Sequence, residues 1–300
     1  MSIRSLARAF GCSTGSISNR CDRLARQELA AHAALCPAAA RYEDVCIDGF
    51  VSFDRSHYFP NNLTIAITAH SRFALAFTHA TLRRSGVMTL AQRERRTLLY
   101  RNLSFEHRAI ERSFKELLDE LARDRPPCPG RPLVLITDEQ KEYRRAFIAH
   151  PLFRRQNEEH RTVHHRVSAK LPRTYRNPLF ASNYLDREIR KDQAAHRRES
   201  ICFGRSVANG LSRLACYLGW HNYRKPYLVK APWKEATTHA EKAGVKREVI
   251  ERVRRRMFTR RYFLSLLSLG EVERKVWMKG FRTLGSGPAY LPDFAFGVRG

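Results

Sequence analysis

The chain has 300 residues, 43% of them hydrophobic, and its 55 Lys and Arg against 29 Asp and Glu leave a net charge of +26. That length and apolar content fit one folded catalytic domain with a small appendage and exclude a disordered polyelectrolyte. No apolar run approaches the roughly 20 residues that cross a bilayer, and seven scattered cysteines without a C-x-x-C pair exclude a disulfide framework and a zinc ribbon.

The charge excess calls for a polyphosphate or another polyanionic surface as partner. Residues 201 to 300, with 20 basic and 7 acidic side chains, are the expected main footprint. A soluble protein without a membrane partner is expected, located in the cytoplasm and associated with the nucleoid.

In chain order, Ile3, Leu6, Ala7 and Phe10 follow helical spacing, Gly11 breaks it, Ser13 can cap, and Ile17, Cys21, Leu24 and Ala25 resume it. Residues 1–36 are therefore expected to form a helix-turn-helix, whose second helix would offer Thr14, Ser16, Ser18, Asn19 and Arg20 to a major groove. A plain helical hairpin fits the same pattern. From Val45 the period changes: VCIDGFVSF, NLTIAITAH and RFALAFTHA read as three strands of an antiparallel meander. A helical region spans about Leu90 to Arg123 and is halted by RPPCPGRP. LVLIT is a uniformly apolar fourth strand, EQKEYRRAFIAH a short helix, Arg161 to Val167 a fifth strand, and Asn183 to about Tyr223 one long helix.

This order is that of an α/β, ribonuclease-H-like catalytic core, a mixed five-stranded sheet with flanking helices, over residues 43–227. Residues 228–300 then form a basic helical C-terminal region.

Two aspartates stand out in that framework: Asp48 inside VCIDGF and Asp138 after LVLIT. On neighbouring strands, both in apolar runs, they are costly to bury without a counter-charge. Cutting a phosphodiester by in-line attack calls for two hard cations held by a few carboxylates, so Mg²⁺ or Mn²⁺ is the expected cofactor. The other readings are an N-cap role for Asp138 and a hydrated strand-end acid for Asp48. A third acid comes from the long helix, which carries Asp186, Glu188, Asp192 and Glu199. Asp186, one turn in and flanked by Tyr184 and Leu185, is preferred as the third catalytic and metal-binding acid, with Glu199 in reserve.

DGFVSFDRSHYFP, LITDEQKEY, RTYRNPLFASNYLDREIRK, HRRES and HNYRKPY, taken together and in this order, resemble the DDE-type transposases of bacterial insertion sequences. The resemblance runs from Ser2 to about Tyr227. It implies Asp48, Asp138 and Asp186 as the catalytic acids, hydrolysis at transposon ends, and strand transfer into target DNA by a Mg²⁺-dependent homo-oligomer on double-stranded DNA. The chain departs from the family in having Asp where Glu is commoner as the third acid, and in lacking the cysteine-rich N-terminal element of some relatives, as a shortened copy would.

For DNA contacts the expected residues are Ser16, Asn19 and Arg20 in the N-terminal helices. Along the long helix they are Arg187, Arg190, Lys191, Arg197 and Arg198, and in the C-terminal region Arg254, Arg255 and Arg256. Guanidinium groups grip phosphates through paired hydrogen bonds. A solvated helix face paired with Glu188 and Asp192 accounts for the first of these arginines equally simply. The rival function is a DNA-binding protein or repressor derived from a transposase and without catalysis.

Overall fold

The computed structural model describes residues 2–40, 42–125, 131–154, 161–168, 170–196, 204–228, 230 and 236–285. Two helices open the chain, α1 (Ile3–Ala9) and α2 (Thr14–Leu35). Gly11 turns between them at φ 57°, where a side chain is strained, and Ser13 caps α2 by accepting the Ser16 N–H at 3.0 Å. Strands β1 (Val45–Phe53), β2 (Pro60–Thr68) and β3 (Ala74–Thr81) follow, then α3 (Leu90–Tyr100) and α4 (Ala109–Asp124). After these come β4 (Leu133–Asp138), α5 (Lys141–Ile148), α6 (Pro151–Arg154), β5 (Thr162–Val167), α7 (Phe180–Asp192) and α8 (Val207–Tyr223). Three helices complete the order: α9 (His239–Lys242), α10 (Arg247–Thr259) and α11 (Glu271–Trp277).

The five strands form one sheet in the order β3-β2-β1-β4-β5. β1, β2 and β3 pair antiparallel, whereas β1 with β4 and β4 with β5 pair in parallel. Alternation along the strands sends their side chains into two apolar cores. Val45, Ile47, Leu133 and Leu135 pack with Phe114, Leu117 and Leu118 of α4 and Tyr143 and Phe147 of α5. Cys46, Phe50, Ile65 and Ile136 pack on the other face with Leu185 and Ile189 of α7, Leu211 and Leu214 of α8, and Ala25 and Leu29 of α2. The protein is thus α/β, a mixed five-stranded sheet flanked by helices, compatible with the core expected from the element order.

Two long helices expected from the sequence are each broken. The run from Leu90 divides because Leu103 and Phe105 turn inward against Tyr58, Phe59 and Tyr100 instead of continuing the helical stripe, and Arg108 enters α4 at φ 54°. The run from Asn183 stops when Gln193 becomes extended; α8 restarts after Ser206, whose side chain accepts the Asn209 N–H.

The early turns of α2 lie at the surface. Its later turns are held by the C-terminal helices: Arg254 of α10 forks onto Glu28, and Arg26 donates to the Trp277 carbonyl of α11. Among the described residues, no helix is long and apolar enough to cross a membrane.

Candidate functional site

β1 and β4 run in parallel with Val45 opposite Leu135 and Cys46 opposite Ile136. Two residues further along, the same register sets Asp48 against Asp138, the last residue of β4. Cys46, Phe50 and Ile136 belong to the core beneath α7 and α8, so alternation puts both aspartates on that face. Asp48 is pushed up to about 6, first by burial and then by the charge of Asp138. The Gly49 N–H, 2.7 Å from Asp48 Oδ1, and the Arg173 guanidinium pull the other way and are outweighed. Asp138 Oδ1 accepts the Gln140 N–H at 3.0 Å, which also steers the chain into α5. The two acids therefore form an electrostatically coupled pair on neighbouring parallel strands, Asp138 at the end of β4 and Asp48 within β1.

Behind Asp48 the backbone is approached closely. A Cβ on Gly49 would stand 2.5 Å from Asn62 Oδ1 and 2.6 Å from the Tyr143 hydroxyl, so only glycine fits between the strand and α5. Burial first, and then the charges of Asp48 and Asp138, push the Tyr143 phenol upward and hold it protonated.

The third acid expected from the sequence stands on α7. The Cys46 thiol donates to the Pro178 carbonyl at 3.2 Å, and the Arg190 guanidinium sits 4.3 Å from the centre of the Phe50 ring. α7 thus runs along β1 in the same direction. Asp186, one turn before Arg190 on the same flank, lies at a level between those two contacts, as does Asp48 on the strand. Glu188 faces the other way: it is buried and paired with Lys225. Burial works against its charge, yet the Lys225 ammonium holds the carboxyl below its usual range. Asp192 accepts the Tyr217 hydroxyl at 3.0 Å. Glu199, the reserve acid, lies outside the described residues, as do Arg197 and Arg198.

Of the other expected DNA contacts, Asn19, Arg20, Arg187, Lys191, Arg255 and Arg256 are exposed, and Ser16 and Arg190 are half-buried. Ser16 shares a 3.0 Å hydrogen bond with Ser13, and Arg256 donates to the Tyr262 hydroxyl at 2.9 Å. Arg254 requires correction. It is 6% exposed, and its two Nη atoms meet the Glu28 carboxylate at 2.6 and 2.8 Å, so its fork is spent inside the protein. The exposed arginines of α10 are instead Arg247, Arg252, Arg255 and Arg256.

Sequence reasoning missed Arg173, Tyr143 and the Lys225–Glu188 pair. Lys225 stands in the HNYRKPY run, but nothing local ties it to an acid 37 residues earlier. Among the described residues, no three His, Cys, Asp or Glu side chains converge as a ready-made metal cluster. What the site offers a cation is two hard oxygen ligands whose mutual repulsion a positive charge would relieve, a donor set that suits Mg²⁺ or Mn²⁺. No family model matches the chain, and neither does any curated protein or solved structure.

Proposed function

We propose that the chain is a DDE/D-type DNA transposase with a ribonuclease-H-like core, cutting transposon ends and joining them to target DNA. One observation carries this reading: Asp48 and Asp138 follow two residues after a paired position on adjacent parallel strands, on one face of the sheet, and burial together with the charge of Asp138 raises Asp48 to about 6. An acid so perturbed is a common signature of catalytic sites, and here it sits in a chain of net charge +26. Asp48 and Asp138 would hold Mg²⁺ or Mn²⁺, with Asp186 reaching in from α7 and Glu199 as the other candidate. A bound divalent cation supplies positive charge for the attacking and leaving oxygens of the phosphodiester.

The chain's own residues do the rest. Arg187, Arg190 and Lys191 line the helix that passes Asp48 and hold the phosphates beside it; Arg255 and Arg256 extend the grip across α10. Ser16, Asn19 and Arg20 stand on the early turns of α2, where a recognition helix meets a major groove. A homo-oligomer on double-stranded DNA brings two ends together, in the cytoplasm at the nucleoid.

A second reading, a transposase-derived DNA-binding protein without catalysis, is favoured by one observation: no third acid closes on the Asp48–Asp138 pair among the described residues. The test is cleavage and end joining of duplex DNA with Mg²⁺ or Mn²⁺ by the wild type and by Asp48→Ala, Asp138→Ala and Asp186→Ala. Cleavage by the wild type lost in all three variants is the expected result. Tight binding without cutting by the wild type selects the second reading, and cutting that survives all three substitutions removes the site assignment.

A further inference from the structure

Between β3 and α4 the chain makes an excursion that the proposed reaction does not use. It is fixed to the body at one end: Tyr100, the buried residue of α3, donates to the Tyr58 carbonyl and accepts the Arg84 N–H at 2.9 Å. Tyr58, Phe59, Leu103, Phe105 and Leu284 pack around it. The stem is stiffened by Arg84, which lies 4.9 Å from the Tyr58 ring centre and donates to Gln92 at 3.4 Å, and by Arg96, which donates to the Arg84 carbonyl at 3.1 Å. Thr89 and Gln92 close a capping box at the helix start. The excursion is therefore a built element, and a rigid one.

Its outer surface has an unusual composition. Residues 83–101 carry six arginines against the single acid Glu94. Arg84 and Arg96 belong to the stem, whereas Arg93, Arg95 and Arg101 are exposed and make no ion pair among the described residues. Between them Leu90 and Leu98 are each 72% exposed, and Val87 is fully so. Two such elements from separate copies would meet with strongly like charge, which opposes self-pairing.

The location adds a direction. β1 runs past Asp48 for five more residues to Phe53, about 17 Å of extended chain, and the turn after it carries Tyr58 and Phe59, on which α3 is seated. α3 thus stands off the end of the sheet toward which β1 runs from Asp48 and at which β4 ends in Asp138.

We infer that α3 and its stem form a second DNA-backbone clamp, in which Arg93, Arg95 and Arg101 bind phosphates flanking the cut and Leu90 and Leu98 pack on deoxyribose. The inference rests on the DNA reading above and adds a contact surface to it. Each neutralised phosphate contributes about 0.9 to the slope of log affinity against log salt, so three contacts contribute about 2.7.

The test compares wild type with the triple variant Arg93→Gln, Arg95→Gln, Arg101→Gln on a blunt 30-base-pair duplex, by fluorescence anisotropy across a salt series. The expected result is an unchanged melting temperature, a slope shallower by two to three, and affinity at 0.1 M salt roughly a hundredfold or more weaker. A wild type that binds DNA alongside a variant of equal slope and affinity overturns the clamp while leaving the DNA reading intact. A wild type that binds no duplex at any salt overturns the DNA reading, and the clamp with it. Sedimentation of wild type and of Leu90→Ser, Leu98→Ser closes the remaining route: a wild-type dimer that the double substitution dissociates, with the arginine variant unaltered in DNA binding, assigns the surface to self-association.

Discussion

The Lys225 ammonium reaches from the end of α8 to the Glu188 carboxylate on α7, and both side chains are more than nine-tenths buried. A second acid of α7, Asp192, lies 3.9 Å from the same ammonium, and Tyr184 and Trp220 present ring faces to it. This contact decides which acids of α7 serve the fold. Glu188 is committed to the seam with α8, while Asp186 projects from the flank shared with Arg190.

Removing one partner of that pair strands the other charge away from water. Lys225→Met is expected to destabilise the protein by about 3–5 kcal/mol, read from urea unfolding midpoints. Combining it with Glu188→Gln should recover much of the loss, because no uncompensated charge remains. A single substitution that shifts stability by less than about 1 kcal/mol would mean the seam is held by its apolar contacts alone.

Asp48 should oppose folding at neutral pH. Its folded value, about 6, lies above its ordinary 3.8, so between those values the folded state holds more protons and stability falls as pH rises. Once ionised, Asp48 costs about 1–3 kcal/mol. Asp48→Asn is therefore expected to melt higher than wild type at pH 7.5 in metal-free buffer, with the gap narrowing when Mg²⁺ is added. Equal melting temperatures in chelator would remove the claim that burial and Asp138 strain this carboxylate.

His221 carries the opposite sign. Its ring stacks on His239 with centroids 4.0 Å apart, both rings are fully buried, and His239 donates to the Ser71 carbonyl at 3.0 Å. Burial first, then His239, Lys225 and Arg72, drive His221 well below 6.5, with only the Asn222 side chain opposing. The unfolded chain thus takes up a proton that the folded protein refuses, and stability is lost as pH falls below about 6.5. His221→Phe should flatten the dependence of unfolding free energy on pH between pH 6.5 and 5 by up to ~1.4 kcal/mol per unit. An identical slope in both proteins would show that His221 already charges in the folded state.

The strands and the first two acids were legible because their signals are local. VCIDGF and LVLITDE each set an acid in an apolar run, and the order of periods gives the sheet. The break after Asp192 was not legible, since apolar spacing continues through the extended Gln193. Arg254 was misread by residue type, although a signal existed: it falls four residues after Ile250 and three before Met257, on the stripe of α10 that the structure buries. Lys225 and Glu188 left no such trace, because only the packing of α8 on α7 brings them together.

The fork between Arg254 and Glu28 joins residues 226 apart in the chain. At a synthesis rate of roughly 5–20 residues per second, Arg254 is made about 10–45 s after Glu28. Until then the inner face of α2 has a carboxylate but no guanidinium to meet it, and docking would leave that charge stranded. A chain that stops short of Arg254 can still lay Ala25 and Leu29 against the sheet and α8, but it must do so with the Glu28 carboxylate unanswered.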